Sequence, residues 1–525
     1  LPHRLCGVFI KLLDFLYEKF PVPDPVYFVQ QKMCAHLVVH RNNKVTLSLS
    51  RELVPHESII SILRRHTFIM NDYPSNVKQK LNSIIADMSE HHWLFSNNPG
   101  HNFMRQHQGK LSFYDTMRLI IGMGKGTTND EIMDYFDMVP DLIPSQSAVN
   151  QRRCQISLSA FEYLFSEFSS SFPATTNKFK DHCILACDGC HVVYTTNSEI
   201  IEDHNKPRLI DYKGYNHMHL NGFADVISKA FLDIVIQPGQ KPDERQAFHM
   251  MLDHFSPDNP QKYIVTADRG YESYDLLFHC ELKNLNYVFR VKAPSSSKSL
   301  LSYYAAELPD DLEEFDVTMK RYFTDKATNV MKDQSDVYRY INPSKNTPHF
   351  YELLDIDKRH LYFMQFRVVK IKTAENTYEY LITNLPHSFT MEDIKECYHW
   401  RWGIEISFRY LKHANGLLYF HSKKPEFLKQ EIYANLTLYN FGIFIANEAA
   451  EENKKKERKN DNKYLYEIDI SSALKTARKF FIRRDSDKPI DIIKLMLKYV
   501  HAVKEKFRQF DRPLRGISAI HFGYR

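Results

Sequence analysis

The chain has 525 residues, which is too long for one hydrophobic core and predicts roughly three or four domains of ordinary size. Hydrophobic residues make up 43% and charged residues 25%, the balance of a globular protein, and eight cysteines are too few for a disulfide scaffold. No stretch approaches about eighteen uncharged apolar residues, so the sequence predicts a cytoplasmic protein without a signal peptide or membrane span.

The segment 70–177 is predicted to be helical, and the segment before it is uncertain. Residues 1–69 are either an N-terminal arm or upstream sequence translated in frame, because the chain begins with Leu1. Within 70–177, Ser112 caps a first helix and Asn129 caps a second.

A third helix of this region is predicted from Ser147 to Phe168, opened by Pro144-Ser145 and carrying Arg152 and Arg153 on its first turns. Three short helices with a basic last member resemble a DNA-binding helix-turn-helix, in which these arginines contact DNA. A plain helical bundle is the alternative.

From residue 178 the pattern changes to short β-branched runs. Cys183–Cys187 and His191–Tyr194 are predicted strands that flank a tight turn at Asp188-Gly189. Tyr263–Ala267 is a further predicted strand, and it ends at Asp268. Two predicted strands therefore end in a carboxylate.

The C-terminal half of the chain is predicted to contain strands first, then helices, and finally a segment rich in Lys and Arg. Residues 294–380 are predicted to be strand-rich, with Tyr and Phe interleaved among Lys and Arg. Lys and Arg are concentrated after residue 450, which predicts a polyanion partner. The predicted divisions are 1–69, 70–177, 178–291, 292–378, 379–450 and 451–525, the last a basic helical region.

One helix is predicted to carry four polar groups on a single face. Thr390 provides a helix-start signal, and Tyr398, Arg401, Glu405 and Lys412 then fall within a stripe of about 60° at helical spacing. Trp400, Ile404 and Leu411 fall on the opposite side, which predicts that they are buried. A phenol, a guanidinium, a carboxylate and an ammonium group on one stripe could handle phosphate.

Three carboxylates follow from these elements: Asp188, Asp268 and Glu405. Carboxylate oxygens are the hard ligands that Mg²⁺ prefers. Two such ions about 3.5–4 Å apart can activate an attacking hydroxyl and stabilise the leaving oxygen of a phosphodiester. An Asp at a strand end is more often a turn former than a ligand, so this prediction depends on the combination with the Glu405 helix.

These motifs resemble a known family. Asp188-Gly189, Asp268-Arg-Gly-Tyr271, and Tyr, Arg, Glu and Lys spaced Y-x2-R-x3-E-x6-K from Tyr398 to Lys412 are similar to the DDE transposases of bacterial insertion sequences. Among these they resemble the group with the Y-R-E-K signature, the IS-four family. The similarity runs from roughly residue 95 to the terminal Ile520–Arg525 string and leaves 1–69 unexplained.

The resemblance implies an α/β protein with an RNase H-like catalytic core, whose mixed sheet is flanked by helices and carries a β-rich insertion, between helical N- and C-terminal regions. It implies that 178–291 and 379–450 are the two parts of the core, that 292–378 is the insertion, and that the protein acts in the bacterial cytosol or nucleoid. It implies cut-and-paste transposition with two Mg²⁺ ions, which Mn²⁺ can replace, held by Asp188, Asp268 and Glu405. Tyr398, Arg401 and Lys412 would hold phosphates of the transposon end. The implied partners are double-stranded DNA, both terminal repeats and target, and a second copy of the chain in a synaptic homodimer.

Two questions stay open at this level. Relatives that form a DNA hairpin stack a flipped base on an aromatic residue of the insertion, and this chain has no Trp in 292–378, so a Tyr or Phe would have to serve. The competing functions are a nuclease of the same fold without strand transfer, and an inactive DNA-binding derivative.

Overall fold

The structure is a computed structural model. It describes the residues 33–39, 45–51, 73–104, 111–172, 178–195, 197–205, 214–326, 328–342, 348–357, 360–457, 465–484 and 490–503. The Ile520–Arg525 string lies outside these residues, as does most of the segment 1–69.

The chain divides into two units, Leu1–Asp72 and Tyr73–Arg525. The described part of the first unit is an antiparallel pair, β1 (Met33–Val39) and β2 (Val45–Arg51). All other elements belong to the second unit. In the described part of the chain, every helix is too short or too polar to cross a lipid bilayer.

Ten strands within the described residues form one mixed sheet in the second unit. They are β3 (Cys183–Thr195), β4 (His204–Asn205), β5 (Tyr215–Asp225), β6 (Ala230–Pro238), β7 (Tyr263–Ala267), β8 (Asn286–Val291), β9 (Phe315–Thr324), β10 (Tyr338–Tyr340), β11 (Leu361–Ala374) and β12 (Thr377–Thr383). A separate antiparallel pair is formed by β13 (Leu465–Ile468) and β14 (Val500–Val503).

The middle of the large sheet has the RNase H-like arrangement that the resemblance implied. Its strands lie in the order β6-β5-β3-β7-β8. The first three are antiparallel to one another, and β3, β7 and β8 are parallel. Parallel neighbours bring their carboxyl ends to one edge of the sheet, which is where a site on such a core is expected. The predicted mixed α/β class is therefore confirmed.

The predicted turn at Asp188-Gly189 is wrong. Cys183–Thr195 is one uninterrupted strand, and β5 pairs with it along nearly its whole length. The full ladder of hydrogen bonds with β5 outweighs the local turn preference of an Asp-Gly pair, as tertiary pairing often does.

The strands of the predicted insertion do not form a sheet of their own. β12 pairs antiparallel with β8, and β11, β9 and β10 follow outward in that order. They extend the core sheet on the side of β8. The domain divisions at 177/178, 291/292, 378/379 and 450/451 remain predictions.

Helices cover the sheet and build most of the remaining core. They are α1 (Tyr73–Glu90), α2 (Phe113–Gly122), α3 (Thr128–Tyr135), α4 (Gln146–Arg153), α5 (Leu158–Ser170), α6 (Glu244–His254), α7 (Tyr274–Leu282), α8 (Asn329–Asp333), α9 (Pro348–Asp357), α10 (Met391–Trp400), α11 (Gly403–Arg409), α12 (Pro425–Glu457), α13 (Ile470–Ile482) and α14 (Ile492–Met496). The long helix α12 contacts α1, α2, α5, α13 and β6, so it joins the N-terminal helices to the sheet.

Several predicted helix boundaries differ from the structure. The helix predicted over 147–168 is two helices, α4 and α5, separated at Cys154–Ser157. Ser112 caps α2 in a capping box as predicted, but Thr127 rather than Asn129 caps α3. In both cases the Ser or Thr hydroxyl accepts the backbone N–H of the acidic residue three positions later, and that residue's carboxylate accepts the backbone N–H of the Ser or Thr. These two hydrogen bonds fix the first turn of the helix.

Candidate active site

Asp188 and Asp268 occupy corresponding positions on two adjacent parallel strands. Ala186 of β3 pairs with Thr266 of β7, and each aspartate lies two residues further along its strand. β7 ends at Ala267, whereas β3 continues beyond it. Asp188 is thus inside a strand and Asp268 directly after one, both at the carboxyl edge of the parallel pair.

The Asp268 carboxylate is held by a tight local turn. Its Oδ1 accepts a hydrogen bond from the backbone N–H of Gly270 at 2.7 Å, at the start of the 3-10 turn Arg269–Tyr271. Asp188 Oδ1 similarly accepts from the N–H of Gly189 at 2.9 Å. These bonds engage Oδ1 of each aspartate, and a carboxylate has a second oxygen that can bind a metal ion.

The segment with the Y-R-E-K spacing is not one regular helix. α10 begins with a Thr390 capping box, as predicted, but ends at Trp400. α11 then begins at Gly403, and the last turns, Tyr410–Asn415, are π-helical. A single straight helix was therefore the wrong prediction, and Trp400 is exposed rather than buried, while the predicted burial of Ile404 and Leu411 is confirmed.

Close packing explains the position of the break. A Cβ atom on Gly403 would lie 2.9 Å from Val226 Cβ and 3.0 Å from the Val226 carbonyl oxygen. Only glycine lets the start of α11 come this near to the turn between β5 and β6. Phe408 on the same helix packs against Phe231 of β6, with ring centroids 5.1 Å apart and the ring planes tilted by 49°, which fixes α11 against the sheet.

Arg401 lies at the break, next to Glu405. Its Nη2 donates to Glu405 Oε1 at 3.3 Å, and its guanidinium lies 4.7 Å from the Trp402 ring centroid. The Arg401 side chain is buried, whereas the Glu405 side chain is 40% exposed. The carboxylate is therefore accessible while the guanidinium behind it is fixed.

Two buried polar atoms at this break lack hydrogen-bond partners among the described residues. They are the hydroxyl oxygen of Tyr398 and Nε of Arg401. Burial raises the pKa of the Tyr398 phenol to about 12, so the hydroxyl keeps its proton and remains a donor. Unpaired buried donors are costly, and a bound anionic group would satisfy both.

The three carboxylates act on one another electrostatically. Burial raises the pKa of Asp188 to about 6; the positive charge of Arg401 opposes this shift, and the charges of Glu405 and Asp268 add to it. The described residues around Asp188 thus concentrate negative charge in a partly buried space. A cation bound there would remove the repulsion.

This donor set fits the divalent metal that the resemblance implies. Asp188, Asp268 and Glu405 supply only oxygen ligands, from two strands and a helix. Hard cations such as Mg²⁺ and Mn²⁺ prefer such ligands, whereas soft metals would need Cys or His.

Lys412 lies further along β3 than the carboxylates. Burial raises the pKa of the Cys190 thiol to about 11, and the charge of Lys412 and its hydrogen bond to the thiol oppose this shift. Burial lowers the pKa of His191 to about 4, and the charge of Lys412 adds to that shift. The ammonium therefore lies near the part of β3 that follows Asp188. The structure brings Tyr398, Arg401 and Glu405 together, with Lys412 at one side.

The two arginines predicted as DNA contacts have different environments. Arg153 is buried: its Nη1 lies 2.7 Å from Glu431 Oε1, and its Nε donates to Gln430 at 3.0 Å. It joins α4 to α12, so the prediction that it contacts DNA is wrong. Arg152 is only partly buried and donates to Gln155 at 3.1 Å.

One charged pair near the site had no signal in the sequence. Arg290 of β8 and Glu379 of β12 form an ion pair at 3.1 Å, and both charges act on the Tyr398 hydroxyl. They lie 89 residues apart in the chain and only the pairing of β12 with β8 makes them neighbours.

Comparisons with known proteins agree with this geometry. A sequence model of the family described as "Transposase DDE domain" matches residues 180–441, a range that contains all three carboxylates. Two Escherichia coli proteins share 39% identity with this chain over 72 residues: the InsL protein for insertion sequence element IS186A (strain K12) and the transposase for insertion sequence element IS421. The matched part is 13% of this chain and 20% and 19% of those proteins, so the chain matches only about a fifth of their length.

A solved structure is also similar, at low level. It is a cryo-EM structure of a piggyBac transposase synaptic complex with hairpin DNA, with a TM-score of 0.37, 11% identity and 82% of each chain covered. A TM-score of this size carries no argument for function. The family match covers the strands and the helix that carry the three carboxylates. Residues 180–441 of this chain therefore belong to the transposase DDE domain family.

Proposed function

We propose that this chain is a DNA transposase that cleaves double-stranded DNA at the ends of a mobile element and joins those ends to target DNA. The observation that carries the proposal is the convergence of Asp188, Asp268 and Glu405 at one sheet edge, with Arg401 between Tyr398 and Glu405, inside a transposase DDE domain. The Y-R-E-K spacing supports placing it in the IS-four group.

Asp188, Asp268 and Glu405 are the proposed ligands of two Mg²⁺ ions, and Mn²⁺ can replace them. When bound, such ions activate the attacking oxygen and stabilise the leaving oxygen of a phosphodiester. Three carboxylates alone would repel the negatively charged phosphate. Bound metal ions and the nearby Arg401 and Lys412 side chains would offset this repulsion. Burial raises the pKa of Asp188 and so disfavours its charged form, and a bound cation would stabilise that form.

Tyr398, Arg401 and Lys412 are the proposed phosphate clamp. The Tyr398 hydroxyl and Arg401 Nε are buried donors without a hydrogen-bond partner among the described residues, so a bound phosphate could accept from both. Arg401 lies 3.3 Å from Glu405, so a phosphate held by Arg401 would lie beside the metal ligands. Lys412 would hold the DNA backbone further along β3, and Arg152 is a candidate contact outside this cluster.

Two copies of the chain acting on two paired ends, a synaptic homodimer, are part of the proposal, since both ends of an element must be joined to one target. The reaction is tested with a circular plasmid that carries the gene and its native flanking DNA, incubated with the full chain and Mg²⁺. Cleavage at the flanks followed by joined product is expected. Cleavage without joining would show a nuclease instead, and end binding without cleavage would show an inactive derivative.

Glu405→Gln tests the site itself. It removes the charge of one metal ligand with little change in shape, so cleavage should fall by at least about 1,000-fold while end binding in a gel-shift assay is retained. Glu396→Gln, on an exposed position of α10, is the matched control and should cleave normally. Unchanged cleavage by Glu405→Gln would contradict the assignment.

A further inference from the structure

A second cluster of metal-binding side chains lies away from the three carboxylates. One ring nitrogen each from His249 on α6, His279 on α7 and His349 on α9 can be chosen so that all lie within 4.8 Å of one another. His279 is buried, and His249 and His349 are partly buried. Three imidazoles from three helices have converged on a space shielded from solvent.

Each ring has a carboxylate partner on one nitrogen. His279 Nε2 lies 3.0 Å from Asp253 Oδ1, His349 Nδ1 lies 2.8 Å from Asp275 Oδ2, and His249 Nε2 lies 3.4 Å from the same Asp275 oxygen. A carboxylate that accepts the N–H of one ring nitrogen leaves the other nitrogen with its lone pair available. Histidines that bind a metal usually have such a carboxylate on the other ring nitrogen, where it orients the ring.

The rings of His249 and His279 also contact each other. Their Nδ1 atoms form a hydrogen bond at 2.9 Å, so one of the two carries a proton, which metal binding would release. Two nitrogens that share one tetrahedral zinc at about 2.0–2.1 Å are separated by roughly 3.4 Å, so a small side-chain rotation would admit the ion. The three rings stack on one another, with centroids 3.9–5.2 Å apart.

Asp275 connects the cluster to the backbone. Its Oδ1 accepts the N–H groups of His349 and Phe350 at 3.1 and 3.4 Å, at the first turn of α9. Asp275 and His279 are separated by four residues on α7 and therefore lie on one face. The N-terminal turn of α9, inside the predicted insertion, is thus held against two helices of the core.

We propose that His249, His279 and His349 bind one structural zinc ion, which fastens α9 to α6 and α7. Imidazole is a borderline ligand that suits zinc and not the hard Mg²⁺ proposed for the carboxylates, so the two sites would hold different metals. Asp253 and Asp275 orient the ligands. A fourth position would be taken by water or by a carboxylate oxygen.

The test measures zinc in the untagged full-length protein after dialysis against Mg²⁺-containing buffer. About one zinc per chain is expected in the wild type, and less than about 0.2 in His349→Gln or His279→Gln, because loss of one of three protein ligands removes most of the affinity. His254→Gln is the matched control, since His254 also lies on α6 but faces Asp233 at 2.8 Å. It should keep its zinc.

Two further measurements keep the proposal testable if a variant folds poorly. Added zinc should raise the melting temperature of metal-stripped wild type and of His254→Gln, and Co²⁺ should give visible absorption typical of tetrahedral nitrogen coordination. Glu405→Gln should retain full zinc, which separates this site from the carboxylates. Wild-type protein that binds neither zinc nor Co²⁺, or His349→Gln that binds zinc as the wild type does, would overturn the proposal.

Discussion

The guanidinium of Arg401 donates to the carboxylate of Glu405 across a break between two helices, at a distance of 3.3 Å. In a regular helix residues four apart also face each other, so sequence spacing alone predicts this contact. At the break, the Arg401 side chain is buried, whereas the Glu405 side chain remains accessible to solvent. One residue can therefore serve as a fixed positive charge and the other as a ligand.

The first prediction concerns Arg401. Arg401→Ala should lower cleavage of end-bearing DNA by about 100-fold or more, because a charged donor beside the reacting phosphate is lost. Arg409→Ala, which removes an exposed arginine of the next helix, should change the rate less than about threefold. Rates are measured by single-turnover cleavage, and equal rates for the two variants would contradict the phosphate-clamp role of Arg401.

The second prediction concerns the pH dependence of stability. Asp188 has a pKa of about 6 in the folded protein against 3.8 for the ordinary side chain. The folded state therefore holds the proton more tightly, so Asp188 destabilises the metal-free protein progressively as pH rises from about 4 through 6. Asp188→Asn should then be more stable than wild type at pH 7.5 by up to about 2 kcal/mol, and equal to it near pH 4.

The measurement for Asp188 is urea unfolding in EDTA at the two pH values. Addition of Mg²⁺ at pH 7.5 should reverse the order, because a cation offsets the charge in wild type and not in Asp188→Asn. A stability difference that does not change with pH would contradict the buried-carboxylate explanation.

The third prediction separates the two neighbouring arginines. Arg153→Ala leaves Glu431 buried without its cationic partner, so the free energy of unfolding should fall by about 3–5 kcal/mol. Arg152→Ala should cost less than about 1 kcal/mol, since that side chain is only partly buried. Thermal unfolding of both variants checks this, and similar melting temperatures would count against the buried ion pair.

The fourth prediction concerns the glycine at the helix break. Replacing a helical glycine by alanine usually stabilises by about 1 kcal/mol, but at Gly403 the new Cβ would press on Val226. Gly403→Ala should therefore lower the melting temperature and, by shifting Glu405, reduce cleavage. Gly100→Ala is the control, because a Cβ there has nothing within 4 Å. A stabilised, active Gly403→Ala protein would show that the packing is not tight.

Local sequence signals determined the short elements well. Thr390 and Ser112 begin helices because each hydroxyl and the acid three residues on cap the first turn, which depends on four consecutive residues. Tyr263–Ala267 is the strand predicted, since a β-branched run before Asp268 admits few alternatives. The Tyr398–Lys412 spacing identified the polar face, because chain neighbours on a helix are also neighbours in space.

Only the tertiary structure decided features that depend on distant partners. Asp188 is inside a strand and not in a turn, because β5, about thirty residues later, supplies a full ladder of hydrogen bonds. Arg153 is buried by Glu431, which lies on a helix 278 residues further along. The helix break at Gly403 follows from contact with Val226, and the histidine cluster from the packing of three helices. The local sequence determines the secondary structure that each short segment favours. Which side chains are buried, and which groups they contact, depends on the segments that pack together in the folded chain.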